Sequence, residues 1–311
     1  MKIKYKTIRL SEASRSIIAA ANVFIEAYQK QGYDLTLRQL YYRFVASDAF
    51  PDSWTDATTG SKNSERSYKR LGEVISDGRM AGLVDWEALV DRTRSCEKLS
   101  HWDRPADIMQ SAAHSYRLDS RSTQHDYVEV WVEKDALAGV VERVASQLDV
   151  PWQSCRGYCS MSAMWRSSIR LRQQEHAKRR TRVIYLGDHD PSGLDMSRDI
   201  QDRLNTFGSL CSVERVALSM AQIRALRPPP SPAKITDSRA AEYIKRFGTD
   251  SWELDALPPE AVASVIQTAV DKHTDTAARK VILVTIEQQR GQLLAMAGKY
   301  DDIVQWMGRT A

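Results

Sequence analysis

Cysteine is scarce in this chain, which has only four cysteines in 311 residues. Cys96, Cys155, Cys159 and Cys211 are too few and too widely spaced for the disulfide framework of a small secreted domain. Cys155 and Cys159 have no second cysteine pair and no histidine at zinc-finger spacing, which argues against a structural zinc site. We therefore expect all four side chains to be reduced thiols.

Long hydrophobic runs are also missing from the sequence. A transmembrane helix needs about 20 consecutive apolar residues, and no segment approaches that length. The first residues, MKIKYKTIRLSEAS, lack the apolar core of a signal peptide. The sequence therefore predicts a soluble, cytoplasmic protein.

Glycine-rich phosphate loops and a strong excess of one charge are missing as well. Neither G-x-x-x-x-G-K-[ST] nor G-x-G-x-x-G occurs, so no nucleotide-binding loop is indicated. Lys and Arg number 44 against 40 Asp and Glu, and this net charge of +4 permits nucleic-acid binding without arguing for it. Hydrophobic residues make up 42% and charged residues 27%, which is typical of a folded protein with a sizeable core and about two domains.

The first third of the chain has the pattern of a small helical domain. Apolar residues at helical spacing predict a helix over residues 11–31, and a second, short helix begins at Thr36. A third helix is predicted over residues 63–77, closed by Gly78. Three helices with short connections indicate a helix-turn-helix domain over residues 1–95.

The middle of the chain has the pattern of a parallel sheet. Residues 96–126 are predicted to be a linker with local helix. Strand-like runs at 127–132 and 182–187 are separated by an amphipathic helix at 135–148. Because alternating strands and helices favour a parallel sheet, we predict a multi-domain α/β protein with this sheet in residues 127–230.

A stiff, proline-rich break follows the predicted sheet domain. The sequence PPPSP at residues 228–232 removes backbone donors and fixes the backbone torsion φ. Residues 237–308 are predicted to be mainly helical. We therefore assign residues 231–311 to a helical C-terminal segment.

The second predicted helix carries a candidate nucleophile. Thr36 and Gln39 have the spacing of a capping box, and the apolar face of the following helix leaves Arg38, Tyr42 and Arg43 on the other side. Tyr42 is therefore expected to be exposed between guanidinium groups, which favour the phenolate and hold a phosphodiester against it. Such a site would perform transesterification on a nucleic-acid backbone. On this helix alone, an ordinary surface tyrosine beside surface arginines is the stronger interpretation.

Three carboxylates follow two predicted strands. Glu133 comes directly after the first strand, and Asp188 and Asp190 come directly after the second. Because ligands bind at the carboxyl ends of parallel strands, these side chains are candidate Mg²⁺ ligands. Alternatively, the acids cap helices or face solvent. His189 is expected to point away from the two aspartates and to be a neighbour rather than a ligand.

Two segments concentrate positive charge and are candidate DNA-binding surfaces. Residues 165–182 hold seven Arg or Lys residues against one acid, and the polar side of the third predicted helix is also basic. A basic helix of a helix-turn-helix domain is able to approach a nucleic-acid groove. Either segment could equally be a solvated surface. The candidate DNA-binding residues are Arg43, Lys62, Arg66, Lys69, Arg70, Arg170 and Arg172.

Taken together, these blocks resemble one protein family. TLRQLYYRF, WVEKDAL and IYLGDHDPSG resemble three blocks of the DNA-cleaving A subunit of type IIB topoisomerases (topoisomerase VI) and of the related meiotic double-strand-break transesterase. WELDAL, at residues 252–257, resembles a late Glu-x-x-Ala-Leu segment of that family. The likeness covers residues 33–260 and implies a winged-helix-like cleavage domain followed by a metal-binding Toprim domain.

The resemblance also implies roles for individual residues. Tyr42 would attack DNA with Arg38 beside it, and Glu133, Asp188 and Asp190 would hold Mg²⁺. Gln39 stands where the family has an acid. In the family the tyrosine of one protomer works with the metal of the other, so the resemblance implies a homodimer with a shared site.

The chain has no ATPase segment, and in the full enzyme that function belongs to a separate B subunit. This chain resembles the small stand-alone A-subunit-like proteins carried by bacterial mobile elements. We therefore expect a topoisomerase-like, Mg²⁺-dependent enzyme that binds and cleaves DNA by tyrosine transesterification, without ATP-driven strand passage of its own. The alternatives are a Toprim nuclease that uses no tyrosine and a non-catalytic DNA-binding protein.

Overall fold

The computed structural model describes the backbone of residues 1–90 and 99–310. The chain is a mixed α/β protein with a four-stranded parallel sheet and a helical C-terminal segment, as the sequence predicts. The predicted domain boundary at residues 95/96 lies outside the described residues.

The first part of the chain is helical. It contains α1 (Glu12–Lys30), α2 (Leu37–Ala46) and α3 (Glu65–Met80). The capping box predicted at the start of α2 is confirmed, because the side chains of Thr36 and Gln39 each accept a hydrogen bond from the other residue's backbone N–H. The three helices share one apolar core.

Gly78 does not end the third helix, so the predicted boundary at residues 63–77 is wrong. The helix continues to Met80, and Gly78 is buried within it. A Cβ atom on Gly78 would lie 2.9 Å from Ile18 Cδ1 and 3.0 Å from Val84 Cγ2. The glycine therefore allows α1 to approach α3 closely instead of terminating the helix.

The central sheet consists of β1 (Asp126–Val132), β2 (Trp152–Ser154), β3 (Arg180–Leu186) and β4 (Ser212–Ala217). The strand order is β2-β1-β3-β4, and all neighbouring pairs are parallel. Parallel neighbours require crossover connections, which helices supply here. The helices before, between and after these strands are α4 (Pro105–Ser115), α5 (Ala138–Leu148), α6 (Met161–His176), α7 (Pro191–Thr206) and α8 (Met220–Leu226).

The C-terminal segment is mainly helical, as predicted. The strands β5 (Ser231–Pro232) and β6 (Asp250–Ser251) pair in antiparallel orientation. No helix in residues 1–90 or 99–310 is long and apolar enough to cross a membrane. The helices of this segment are α9 (Ala240–Phe247), α10 (Pro259–Asp271), α11 (Thr276–Gly298) and α12 (Tyr300–Thr310).

Both faces of the parallel sheet are covered. On one face, Val130, Val132 and Ile184 pack with residues of α5 and α10. On the other, Trp131 and Tyr185 pack with residues of α6 and α7. This double burial explains the apolar runs at residues 130–132 of β1 and 183–186 of β3. Glu129 is a buried acid within β1, and its carboxylate is paired with Arg170.

Residues 252–256, here called the linking segment, connect the sheet to the first helices. Trp252 and His189 exchange backbone hydrogen bonds of 2.8 and 3.0 Å. Ala256 packs into the core formed by α1, α2 and α3. The linking segment therefore joins the carboxyl edge of the sheet to α2.

The cysteines in the described residues are Cys155, Cys159 and Cys211. All three are buried, free thiols. The predicted thiol state is confirmed for these three. Cys96 lies outside the described residues.

Candidate active site

Two predicted site carboxylates meet at the carboxyl ends of β1 and β3. These strands are parallel neighbours, with Val132 paired to Leu186 near the edge. Glu133 Oε2 accepts a hydrogen bond of 2.9 Å from the backbone N–H of Asp188. The exposed fractions of Glu133 and Asp188 are 5% and 3%. The topology therefore brings two buried acids side by side.

The two acids destabilise each other's ionised form. Burial and the neighbouring Asp188 carboxylate raise the pKa of Glu133 to about 7. Burial also raises the pKa of Asp188, although the Lys134 ammonium opposes this. Two buried carboxylates of this kind form a site of concentrated negative potential, which a cation would relieve.

Asp190 lies close to this pair but has a second role as a helix cap. Its side chain is the N-cap of α7 and accepts hydrogen bonds from the backbone N–H of Gly193 and from Ser192 Oγ. Its charge contributes to the raised pKa of Glu133. Both sequence interpretations of Asp190, as a cap and as a member of the acidic cluster, therefore describe part of its environment.

Gly193 is required by the tight turn that follows β3. A Cβ atom there would collide with the backbone carbonyl of Asp188 and would lie 3.0 Å from Asp190 Oδ1. We expect Gly193→Ala to lower the free energy of unfolding by about 1–3 kcal/mol, because backbone atoms have to move. Chemical denaturation measures this, with Gly291→Ala in α11 as the control, since a Cβ atom there meets nothing within 4 Å. Equal stabilities of the two variants would contradict the close approach.

Lys134 connects the carboxylate pair to the linking segment. Its ammonium group lies 2.8 Å from Asp188 Oδ2 and 3.4 Å from Glu253 Oε2. Leu254 N–H also donates to Asp188 Oδ1 at 2.8 Å. Glu253 was not among the predicted site residues; its only sequence signal was the WELDAL block.

Arg215 is a further cation at this edge that sequence reasoning missed. Its guanidinium donates to the carbonyl oxygens of Gly187, at 3.0 Å, and Gly193, at 2.8 Å, and also to that of Asp188. It therefore fixes the turn that carries Asp188 and Asp190. Nothing in the local pattern around β4 distinguishes this arginine from other strand residues.

Tyr42 is buried, so its predicted exposure is wrong. Only 5% of the residue is accessible. The face of α2 that looked polar in sequence is covered by the linking segment, whose Glu253 and Asp255 both pair with Arg38. The Arg38 Nε to Asp255 Oδ2 distance is 2.8 Å. The hydrophobic periodicity of α2 does not show which distant segments pack against its polar face. Here a segment about two hundred residues later in the chain covers that face.

The electrostatic environment of Tyr42 also differs from the prediction. Its hydroxyl accepts a hydrogen bond of 3.4 Å from Arg38 Nη2, and the same nitrogen donates to Glu253 Oε2. Burial and the carboxylates of Asp255 and Glu253 raise the pKa of the phenol, and Arg38 only partly opposes them. The expectation that neighbouring cations favour the phenolate is therefore wrong for this conformation.

Several predicted DNA-binding side chains are engaged within the protein. Lys62 Nζ pairs with Asp48 at 2.9 Å and with Asp52 at 2.8 Å. The guanidinium of Arg170 makes two hydrogen bonds, of 2.7 and 2.8 Å, to the buried carboxylate of Glu129. Their charges are already compensated, which argues against these two residues as primary phosphate contacts.

The remaining basic candidates differ in exposure. Lys69 pairs with Glu65 one turn earlier in α3, at 2.8 Å. Arg43 is half-buried beside the ring of Phe24. The side chains of Arg66, Arg70 and Arg172 are exposed and are therefore available to contact a phosphate backbone.

His189 points away from the acidic pair, as the sequence predicts. Its Nδ1 lies 2.9 Å from the Tyr243 hydroxyl. Its ring packs edge-on against Phe247 and Trp252. It therefore belongs to the packing between the turn after β3 and α9.

The chemistry of the acidic pair fits a hard divalent cation. Mg²⁺ binds carboxylate oxygens and retains several waters, and Glu133 and Asp188 are buried acids that repel each other. In the conformation described for residues 1–90 and 99–310, no group of three or more His, Cys, Asp or Glu side chains is arranged to hold a metal ion. Asp188 is instead paired with Lys134, and Asp190 caps α7.

We compared the chain with protein-family models and with curated proteins. No protein-family model matches the chain. No curated protein gives a significant match. The resemblance to type IIB topoisomerase A subunits therefore rests on the sequence blocks alone.

Proposed function

We propose that this protein is a Mg²⁺-dependent DNA-cleaving transesterase that resembles the A subunit of type IIB topoisomerases. One observation carries the proposal. Within a single chain, the phenol of Tyr42, the guanidinium of Arg38, the carboxylate of Glu253, the ammonium of Lys134 and the Asp188–Glu133 pair form one continuous polar network. A candidate nucleophile and a candidate cation site are thereby joined.

The reaction exchanges one phosphodiester bond for another. The Tyr42 oxygen bonds to phosphorus, the bond from phosphorus to a sugar oxygen breaks, and that oxygen takes up a proton. The protein then remains joined to a DNA end, which the resemblance implies is the 5′ end. Because the phosphotyrosine bond retains the ester, the step is reversible and needs no ATP.

Glu253 is positioned to accept the phenolic proton. Glu253 and Tyr42 line the same cavity, and Arg38 Nη2 donates a hydrogen bond to each of them. Although burial opposes ionisation, Lys134 and Arg38 lower the pKa of Glu253. Glu253 is therefore ionised, and it would take the phenolic proton as the bond from the Tyr42 oxygen to phosphorus forms, because that bond makes the phenolic proton far more acidic.

Glu133 and Asp188, with Asp190 beside them, would hold Mg²⁺. The ion would supply positive charge against the phosphate and the leaving oxygen. Arg38 lies on the other side of Glu253 and uses Nε and Nη2 for the two carboxylates of the linking segment, so its Nη1, which has no acceptor among the described residues, would pair with the same phosphate. Lys134, one residue after Glu133, would keep Glu253 and Asp188 oriented.

A cavity of about 300 Å³ offers access to the phenol. Tyr42, Arg38 and Glu253 line it together with Tyr68 of α3. The exposed Arg66 and Arg70 lie on the same helix as Tyr68, so a DNA backbone following α3 would pass the cavity. We expect binding to weaken as salt increases, because phosphate contacts release counterions.

Two copies of the protein would be needed for a double-strand break, because one Tyr42 cuts one strand. A two-fold dimer supplies both with one interface. The network described here lies within one chain and favours catalysis by each copy's own residues. Sharing of the site between protomers and a separate B-subunit-like ATPase both stay predictions.

Covalent trapping on DNA tests the proposal. We expect wild-type protein, supercoiled DNA and Mg²⁺ quenched with detergent to give a protein–DNA adduct. Tyr42→Phe should give none, because the attacking oxygen is gone. Tyr41→Phe is the matched control, since its hydroxyl bonds Asn63, at 2.8 Å, and the Ser64 carbonyl instead.

The burial of Tyr42 favours one alternative, a metal-dependent nuclease that uses no tyrosine. Cleavage that persists in Tyr42→Phe and leaves no adduct would establish that alternative. Salt-sensitive DNA binding without cleavage in the wild type would leave a binding protein. A circular dichroism spectrum of each variant ensures that loss of adduct does not reflect unfolding.

A further inference from the structure

The opposite end of the sheet contains an arginine-lined cavity of about 400 Å³. It lies at the amino end of β1, where Tyr127 and Val128 line it. Tyr127 precedes Glu133 by six residues, which is about 20 Å along a strand. This cavity is therefore separate from the candidate active site. A volume of this size falls within the ~300–1,000 Å³ typical of small-molecule sites.

The strongest feature of the cavity is a buried guanidinium without a charged partner. Arg121 is only 4% exposed. Its Nη1 and Nη2 donate to neutral oxygens, Thr274 Oγ1 at 3.1 Å and the His273 carbonyl at 3.4 Å. Its Nε–H has no acceptor among the described residues. A buried cation in this state favours an anionic ligand.

Further arginines surround Arg121. Arg179 also lines the cavity and donates to the carbonyl oxygens of Gln124 and Arg121. Arg279 donates to Ser120 Oγ and to the Gln147 carbonyl. Burial, Arg279 and Arg179 together lower the pKa of Arg121. The protein thus gathers three guanidinium groups whose hydrogen bonds are to neutral atoms.

A second cavity, of about 280 Å³, adjoins the first. The two share Arg117, Ser146 and Asp149 in their walls, and Arg279 lines the second. Asp149 and Asp119 are the acids of the first cavity, and each accepts a backbone N–H, from Ser120 and Arg121 respectively. Positive charge therefore exceeds negative charge around both cavities.

The rest of the wall of the first cavity is apolar and aromatic. Val128, Val150 and Pro151 form one side, and the Tyr127 ring lies 5.3 Å from the Arg179 guanidinium. A flat ring would pack on this side while a phosphate pairs with the arginines. Inorganic phosphate alone would leave the apolar side empty.

We propose that this cavity binds a nucleotide, with its phosphate at Arg117, Arg121 and Arg179 and its base against Tyr127 and the apolar wall. The chain has no glycine-rich phosphate loop, so guanidinium groups supply the recognition. The ligand is either a free nucleotide or the 5′-phosphorylated end of a DNA strand, because both present the same groups. The proposal does not depend on DNA cleavage.

Calorimetric titration of the full-length protein with deoxyadenosine monophosphate tests the site. We expect saturable binding, with inorganic phosphate and deoxyadenosine each binding at least about tenfold more weakly. Arg117→Ala should weaken binding about tenfold through loss of a charged hydrogen bond. Ser146→Trp, at an exposed position on α5 that lines both cavities, should abolish it. Arg166→Ala, which removes an exposed arginine from α6, should bind like the wild type.

Competition then distinguishes the two sources of the ligand. Displacement by a 5′-phosphorylated hexanucleotide, but not by its 5′-hydroxyl form, would assign the site to a DNA end. Failure of both to displace the mononucleotide would assign it to a free nucleotide. No binding of the mononucleotide, equally tight binding of inorganic phosphate, or undiminished binding by both folded variants would overturn the proposal.

Discussion

Glu133→Gln is expected to abolish Mg²⁺-dependent DNA cleavage while making the metal-free protein more stable. Loss of one anionic ligand should reduce the cleavage rate by at least about 100-fold. The same change removes a buried carboxylate that lies beside Asp188, so the free energy of unfolding at pH 8 should rise by about 1–3 kcal/mol. An ordinary structural acid would show the opposite effect on stability.

The expected rise in the free energy of unfolding follows from how the protonation of Glu133 depends on pH. Burial and Asp188 raise the pKa of Glu133 from 4.5 to about 7, so the folded protein holds this proton more tightly than the unfolded chain does. Stability from this group is present below pH 4.5 and is lost as pH rises through about 7. In Glu133→Gln this part of the pH dependence should vanish.

Thermal unfolding with and without Mg²⁺ measures both effects. Mg²⁺ should raise the melting temperature of the wild type but not of Glu133→Gln, since a ligand that binds only the folded state stabilises it. Asp202→Asn is the control, because this half-exposed acid of α7 pairs with Arg198 on the surface. A Glu133→Gln protein that still cleaves DNA, or that is less stable than wild type in chelator, would contradict the cation site.

Arg38→Met is expected to lower the free energy of unfolding at pH 8 by about 1–3 kcal/mol, because the carboxylate of Asp255 is buried while Arg38 itself is 43% exposed to screening solvent. Asp255 has a side chain that is 0% exposed, and its Oδ2 lies 2.8 Å from Arg38 Nε. Its other oxygen, Oδ1, has no hydrogen-bond partner in the described structure. Removal of the guanidinium therefore leaves a buried carboxylate with little compensation.

A second substitution separates this electrostatic cost from lost packing. Arg38→Met combined with Asp255→Leu should regain at least half of the lost stability, because the unpaired charge is gone. Burial raises the pKa of Asp255 from 3.8 to about 7, with Arg38 opposing it. The stability that Arg38→Met loses relative to the wild type should therefore be small below pH 7, where Asp255 holds its proton in both folded proteins, and should grow as pH rises above about 7.

Arg172→Met is the matched control for this cycle. Arg172 is exposed on α6, so its replacement should change stability by less than about 0.5 kcal/mol. Denaturant titration of the single and double variants measures the coupling. Equal stabilities of Arg38→Met and Arg172→Met would show that the Arg38–Asp255 ion pair does not stabilise the contact between α2 and the linking segment.

Features set by neighbouring residues could be predicted from the sequence. The Thr36–Gln39 capping box depends on a spacing of three, and the apolar runs of β1 and β3 follow from burial on both faces. Because β1 and β3 are parallel neighbours, Glu133 and Asp188, which follow them in the chain, lie at the same edge of the sheet.

Features set by distant residues could not be predicted in this way. Arg38 and Glu253 are 215 residues apart, and no periodicity in α2 reports that the linking segment covers it. Tyr42 was therefore predicted to be exposed although it is buried. The helix end predicted at Gly78 is wrong for a similar reason, because the glycine makes room for Ile18, a side chain of α1.

Mass-spectrometric mapping of the trapped adduct identifies the residue that attacks DNA. Trypsin cleaves after Arg38 and Arg43, so Tyr41 and Tyr42 fall in the short peptide Gln39–Arg43. Nuclease treatment leaves a nucleotide on the attached residue, and fragmentation of the peptide distinguishes the two tyrosines. We expect the nucleotide phosphate on the Tyr42 oxygen. A nucleotide on Tyr41 or any other residue, or cleaved DNA with no modified peptide, would contradict it.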